Sequence, residues 1–134
     1  MNPNYPLIAV RAGHRCEYCR APEIIFNTSF EVDHIKPIAK GGTNDPINYA
    51  LACRICNGHK SAALGAIDPL SQQLVSLFNP RQQAWEDHFE VQDKSPFKIV
   101  GKTPTGRASV ERLQFNAPRQ LTARALWIKL ALFP

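Results

Sequence analysis

The chain has 134 residues, and its 16 lysine and arginine residues outnumber its 11 acidic residues, which gives a formal charge of +5 and a pI near 9.2. A hydrophobic fraction of 44% with 20% charged residues is typical of a chain that folds, and it excludes a disordered polyelectrolyte. No apolar stretch reaches the ~20 residues of a membrane-spanning helix, and the N-terminus has no signal-peptide pattern. We therefore expect a soluble, cytoplasmic protein of one domain or two small lobes, without a membrane partner.

Turn residues and hydrophobic periodicity divide the chain into short elements. The first half predicts a helix at 4–12, β segments at 24–26 and 30–35, a strand at 49–52 and a helix from 53 or 54 to 64. The second half predicts a helical turn at 82–88, a strand at 97–101 and amphipathic helices at 105–115 and 119–132. Residues 30–65 thus read as strand, loop, strand and helix.

The four cysteines form two Cys-x-x-Cys pairs, Cys16 with Cys19 and Cys53 with Cys56. A two-residue gap in a tight turn points both sulfurs at one place, and two such pairs complete a tetrahedral zinc site. Two disulfides, a redox pair and an iron–sulfur cluster are the alternatives. The absence of a signal peptide argues against disulfides, and the doubled pair argues against a redox motif, so a structural Zn²⁺ is favoured.

Polar residues that suit a divalent metal lie between and just after the cysteine pairs. Asp33 and His34 stand together near the end of a predicted strand, and Asn57 lies one turn into the helix that the second pair begins. A carboxylate and an amide oxygen are hard ligands suited to Mg²⁺ or Mn²⁺. A neighbouring histidine is able to take a proton from water.

These residues resemble the HNH nuclease motif, also called the ββα-metal fold, in its zinc-knuckle form. The resemblance rests on Asp33-His34, on Asn48 fourteen residues after His34, and on Asn57 nine residues further, directly after Cys56. It covers about residues 14–65. Asn57 stands where many members have histidine, a departure that other family members share.

The resemblance implies an α+β fold with a ββα-metal core, and a metal-dependent enzyme that cleaves DNA. His34 would be the general base, Asp33 and Asn57 would hold one Mg²⁺ or Mn²⁺ ion, and Asn48 would orient His34 and brace the loop. We expect this core at residues 1–66, followed at 67–134 by a small helical or mixed extension packed on it. A zinc-stabilised DNA-binding module without nuclease activity and a protein-interaction module remain alternatives, and monomer and homodimer are both open.

Positive charge is concentrated in the last 37 residues, which hold seven basic residues and one acidic residue. Such a block favours a polyanionic partner such as DNA, although solvated helix surfaces give the same pattern. The predicted phosphate contacts are Lys60, placed about 60° around its helix from Asn57, and the arginine row Arg107, Arg112, Arg119 and Arg124.

Overall fold

A computed structural model describes all residues, 1–134, and shows a mixed α+β architecture. In chain order the elements are α1 (Tyr5–Arg11), β1 (Glu31–His34), β2 (Tyr49–Ala52), α2 (Arg54–Lys60), β3 (Gly65–Ile67), β4 (Leu74–Ser76), α3 (Trp85–His88), β5 (Phe89–Val91), β6 (Ile99–Gly101), α4 (Pro104–Arg112) and α5 (Pro118–Lys129). The strands form three antiparallel pairs, β1–β2, β3–β4 and β5–β6. No helix has both the length and the apolar character that a membrane span requires.

The ββα unit consists of the β1–β2 pair and the helix that follows it. Glu31 lies opposite Ala52 and His34 opposite Tyr49, so the end of β1 faces the start of β2. All four residues of β2 are buried, whereas β1 has exposed, half-buried and buried residues. Only Cys53 separates β2 from α2, and this short connection holds the helix against the strand pair.

The predicted β segment at 24–26 is wrong, because Glu23–Ile25 forms a 3₁₀ turn. The cause is the buried carboxylate of Glu23, which accepts hydrogen bonds from the Phe30 backbone N–H at 2.6 Å and from the Tyr5 hydroxyl at 2.8 Å. These bonds draw the segment onto α1 instead of extending it. β1 therefore pairs with β2.

The other elements of the first half follow the prediction, with one shorter helix and one omission. α1 and β2 lie where the sequence predicts them. α2 ends at Lys60 and not at residue 64, because Ser61 has a φ of 50°, in the left-handed region. The β3–β4 hairpin was not predicted, since its strands are only three residues long.

The second half forms a layer in which α4 packs on the two small hairpins. Gly106 in α4 lies so close to the His88 carbonyl oxygen that a Cβ would collide with it. Arg107 binds Asp68 through two hydrogen bonds of 2.9 Å, and this pairing lowers the pKa of Asp68. These contacts fix α4 against β3–β4 and β5–β6.

One hydrophobic core takes residues from both halves of the chain. It contains Ile8 and Leu51 from the first half and Phe89, Phe115 and Trp127 from the second half. The two halves share buried surface, so the second half supports the ββα unit. The division into residues 1–66 and 67–134 stays a prediction.

Candidate metal centre and catalytic site

The four cysteines meet at one buried point, as their spacing predicts. Their sulfur atoms all lie within 4.8 Å of one another, and the Sγ atoms of Cys19 and Cys53 are 3.7 Å apart. Tetrahedral zinc with ~2.3 Å bonds to sulfur requires sulfur atoms ~3.8 Å apart. The cluster thus fits a zinc ion held by Cys16, Cys19, Cys53 and Cys56.

Backbone N–H groups support the first sulfur of each pair. Cys19 N–H donates to Cys16 Sγ at 3.5 Å, and Cys56 N–H donates to Cys53 Sγ at 3.4 Å. Hydrogen bonds from the neighbouring thiols, first that of Cys16, lower the pKa of Cys53, which favours the thiolate that zinc binds. Because four sulfurs close the coordination shell, this centre leaves no position for a reacting water and suits a structural ion.

The second cysteine pair also determines where α2 begins. Cys53 is the residue before the helix, and its sulfur accepts from the N–H of Cys56 as an N-cap. Asn57 directly follows Cys56 in α2, so its position relative to β1 depends on the cysteine cluster. The first pair positions Tyr18 in the same way, between Cys16 and Cys19.

Asp33 lies in the interior and is bound by two donors. The Tyr18 hydroxyl donates to its Oδ2 at 2.7 Å, and Lys60 Nζ lies 3.1 Å from the same oxygen. Lys60 also donates to the His34 carbonyl oxygen at 3.0 Å. Burial raises the pKa of Asp33, while the charge of Lys60 and the Tyr18 hydrogen bond oppose that rise. The side chains of Tyr18, Asp33 and Lys60 form a small buried network. It connects β1 and α2 with the turn from Cys16 to Cys19, which we call the first knuckle.

Replacing Lys60 with methionine is expected to destabilise the protein by about 3–5 kcal/mol, because it leaves a buried carboxylate without its cation. The side chains of Lys60 and Asp33 are only 2% and 6% exposed. Urea unfolding in zinc-containing buffer measures the change, with Lys129→Met on an exposed helix position as the matched control.

The double variant Asp33→Asn/Lys60→Met separates charge from packing. Removing both charges is expected to recover much of the lost stability, since neither buried ion is then unpaired. A Lys60→Met protein as stable as Lys129→Met would show that the pair contributes nothing.

Asn57 is held by a carboxylate that the sequence does not single out as its partner. Its Nδ2 donates to Glu31 Oε2 at 2.6 Å. Glu31 and Asp33 alternate along β1 and contact α2 at Asn57 and Lys60, respectively, so both point toward this helix. With Nδ2 engaged, the amide oxygen of Asn57 is the atom left for a metal ion.

His34 lies at the open end of β1, partly exposed, with its ring packed edge-to-face on Tyr49 at a centroid distance of 5.2 Å. Its Nε2 is 2.9 Å from Oδ1 of Asn44. An amide oxygen only accepts, so Nε2 carries the proton and the lone pair of the neutral ring is on Nδ1. Nδ1 is therefore the basic atom.

Asn48 braces the loop between β1 and β2. Its Nδ2 donates to the carbonyl oxygens of Lys36 and Thr43, and its Oδ1 accepts from the Lys36 N–H, each at 2.9 Å. Its side chain makes no hydrogen bond to the imidazole of His34. The resemblance assigned the orienting role to Asn48, but the side chain that accepts a hydrogen bond from the His34 ring is Asn44.

Two predicted phosphate contacts, Lys60 and Arg124, require correction because both are buried. Lys60 pairs with Asp33 as described. Arg124 points inward from α5 and donates to the carbonyl oxygens of Phe115 at 2.6 Å and Phe97 at 3.1 Å. Helical periodicity placed Arg124 on a basic face, but unpaired carbonyls at this helix junction attract its guanidinium inward.

The other three arginines of the row have different surroundings. Arg107 pairs with Asp68, and Arg112 donates to the carbonyl oxygen of His59 at the end of α2. Arg119 is exposed and makes no side-chain hydrogen bond. DNA contact by these three residues stays a prediction.

Sequence reasoning missed Tyr18 and Asn44 as parts of the site. The position of Tyr18 between two zinc ligands was a usable signal, since the knuckle turns its side chain in a fixed direction. Asn44 gave no comparable signal, because Asn-Asp-Pro is ordinary turn chemistry.

Two short antiparallel strands, a helix begun by the second of two cysteine pairs, and a histidine at the end of the first strand define a ββα-metal type of core. The HNH endonuclease family model matches residues 16–63, so this part of the chain is similar to HNH endonuclease domains. A search of curated proteins and a search of solved structures each found no match.

Proposed function

We propose that the chain is a metal-dependent DNA endonuclease of the cytoplasm that hydrolyses or nicks phosphodiester bonds. The observation that carries the proposal is the tautomer of His34, which lies in the segment that matches the HNH family model. Its Nε2 is bound to an amide oxygen, so its Nδ1 is free to accept a proton. A fixed, singly protonated imidazole at an open strand end is suited to general-base catalysis.

In the proposed reaction, Nδ1 of His34 takes the proton of a water molecule as its oxygen attacks the scissile phosphorus. Asn44 holds the ring in the tautomer that makes this possible. The new P–O bond replaces the bond to the leaving oxygen of the DNA strand. Asn48 keeps the loop around the imidazole closed through its three backbone bonds.

Asp33 and Asn57 are the residues proposed to hold the catalytic ion. The oxygen of Asn57 is unengaged, and Oδ1 of Asp33 has only the longer bond from Lys60, at 3.4 Å. Both are hard donors that suit Mg²⁺ or Mn²⁺. Such an ion, when bound, neutralises charge on the scissile phosphate and stabilises the leaving oxygen. Glu31 would hold the Asn57 amide in the orientation that presents its oxygen.

A second candidate is a zinc-stabilised DNA-binding module without catalysis. It is favoured by one observation, the engagement of Asp33 with Lys60 and Tyr18. A carboxylate already paired with a buried ammonium has less charge to offer a divalent ion.

Supercoiled plasmid distinguishes the two functions. We expect the zinc-loaded protein to convert it to relaxed or linear DNA when Mg²⁺ or Mn²⁺ is added, and to leave it intact in zinc-containing buffer without either ion. A retarded plasmid band with no cleavage in either ion would replace the nuclease by the binding module.

A further inference from the structure

A cleft of about 330 Å³ lies beside the first zinc knuckle, away from the C-terminal arginine row. Its walls include Arg11 from α1 and Arg15 and Arg20 from the segment around Cys16. One carboxylate, Glu17, shares the lining. The sequence hides this cluster, because the first 97 residues are close to neutral in total charge.

Neutral groups hold two of the three guanidinium groups in place. Arg11 donates to the carbonyl oxygens of Pro46 at 2.9 Å and Tyr49 at 2.7 Å. Arg15 donates to the carbonyl oxygen of Leu132 at 2.7 Å. Carbonyl oxygens orient these side chains but leave their charge uncompensated. Each guanidinium has five N–H donors, so both keep donors for another acceptor.

Arg20 is stacked 4.4 Å above the ring of Trp85 and pairs with Glu86. The Glu86 side chain is 69% exposed, and a pair of this kind contributes little and is screened by salt. The stacking fixes the plane of the guanidinium at the edge of the cleft. Arg20 therefore offers a positioned positive charge.

Glu17 cannot neutralise the cleft, because both of its oxygens are already engaged. Arg81 pairs with Oε1, and the Leu51 N–H donates to Oε2 at 2.8 Å. Burial, and then the positive charge of Arg11, lower the pKa of Arg81 to about 10. The Nε of Arg81 is buried without a hydrogen-bond partner. The charges of Arg11 and Arg81 repel each other, and an anion bound beside Arg11 offsets this repulsion.

The cleft is connected to the candidate base through one residue. Arg11 binds the carbonyl oxygen of Tyr49, and Tyr49 both pairs with His34 across β1–β2 and packs against its ring. Tyr49 thus links the Arg11 side of the cleft to His34.

We propose that the cleft formed by Arg11, Arg15 and Arg20 binds a backbone phosphodiester of DNA next to the one that is cleaved. This inference rests on the proposed function for its substrate, and it places the DNA path along α1 and the first knuckle. Arginine forks bind phosphate oxygens in pairs, and such contacts carry affinity without sequence preference.

Binding without added Mg²⁺ or Mn²⁺ tests the inference separately from cleavage. Fluorescence anisotropy with a labelled DNA duplex compares full-length wild type, Arg11→Gln and Arg20→Gln, with Lys94→Gln, at an exposed position between β5 and β6, as the control. Loss of one charged contact is expected to weaken binding about tenfold and to lower the slope of log affinity against log salt by ~0.9. Lys94→Gln is expected to bind like wild type.

Melting temperatures of the same variants show whether each one folds. Arg11→Lys supplements them, because it keeps the charge and loses the fork. Its salt slope is expected to match wild type while its affinity falls. Variants that fold and bind DNA like Lys94→Gln would overturn the inference.

Further results distinguish free phosphate from DNA as the ligand of the cleft, and distinguish failure of the cleft proposal from failure of the nuclease proposal. If inorganic phosphate raises the wild-type melting temperature through these arginines while DNA affinity is unchanged in the variants, the cleft binds free phosphate and the inference is wrong. Arginine-dependent DNA binding in a protein that never cleaves plasmid would support the cleft and refute the nuclease. Plasmid cleavage with unchanged binding in Arg20→Gln would do the reverse.

Discussion

His34→Ala is expected to lower plasmid cleavage by about 10²–10⁴-fold while leaving DNA binding unchanged, because general-base catalysis contributes a factor of that size. The imidazole is partly exposed and has one side-chain hydrogen bond, to Asn44. Its loss should therefore change the rate and not the fold. The measurement is the initial rate of plasmid relaxation in Mg²⁺, with the melting temperature recorded for each protein.

His59→Ala is the matched control for this experiment. His59 lies in the same motif region but is exposed on α2, and its side chain makes no hydrogen bond. We expect its cleavage rate to equal that of wild type. If His34→Ala cleaves as fast as His59→Ala, His34 is not the base.

Asn44→Ala tests how the base is prepared. Without the amide oxygen, Nε2 and Nδ1 are both able to carry the proton, and only part of the molecules have the basic atom on Nδ1. We expect a smaller loss than for His34→Ala. A rate equal to wild type would mean that other contacts hold the ring.

The zinc cluster and the ββα order were predictable because local spacing determines them. A Cys-x-x-Cys turn places two sulfurs together whatever surrounds it, and two such turns supply the four ligands of one zinc ion. The strand at Tyr49–Ala52 and the start of α2 next to Cys53 follow from short-range pattern and capping. These features depend on neighbours in sequence.

The environment of Asp33 was not predictable, because it depends on contacts between distant segments. Tyr18 and Lys60 are 15 and 27 residues away from Asp33 in sequence. Sequence reasoning treated Lys60 as a solvated helix lysine able to reach phosphate. Packing turned it toward the strand, where burial of a carboxylate makes an internal cation favourable.

The distribution of positive charge over the surface was only partly predictable, for a similar reason. Counting residues along the chain assigns the excess to the last 37 positions, yet Arg124 is internal and Arg107 is paired with Asp68. The arginines near the first knuckle are spread among acidic residues in sequence. The fold brings Arg11, Arg15 and Arg20 to one cleft and engages Glu17 elsewhere.

Cys53→Ser is expected to abolish zinc binding and to unfold most of the protein at 25 °C. Binding of structural zinc contributes about 10–16 kcal/mol in small zinc peptides, which is comparable to the ~5–15 kcal/mol stability of a whole domain. The four cysteines belong to the same core as Ile8 and Leu51, so loss of the ion destabilises the whole core. Circular dichroism melting and zinc content per chain measure the effect.

Serine makes this substitution specific for the metal. Cys53 is the N-cap of α2, and serine is itself a favourable N-cap, so the helix start keeps its acceptor. A loss of stability therefore reports the missing sulfur ligand and not a missing cap. Cys53→His is the complementary variant, because three cysteines and one histidine also form tetrahedral zinc sites.

We expect Cys53→His to retain one zinc ion per chain and more stability than Cys53→Ser. The physical reason is that the imidazole supplies a fourth zinc ligand, whereas the serine hydroxyl does not replace the sulfur. Without zinc, as expected for Cys53→Ser, the other three cysteines stay buried with no cation to bind their thiolates. If Cys53→Ser melts at the wild-type temperature, zinc does not stabilise this fold, and the position of Asn57 must be set by the Glu31 bond and the core alone.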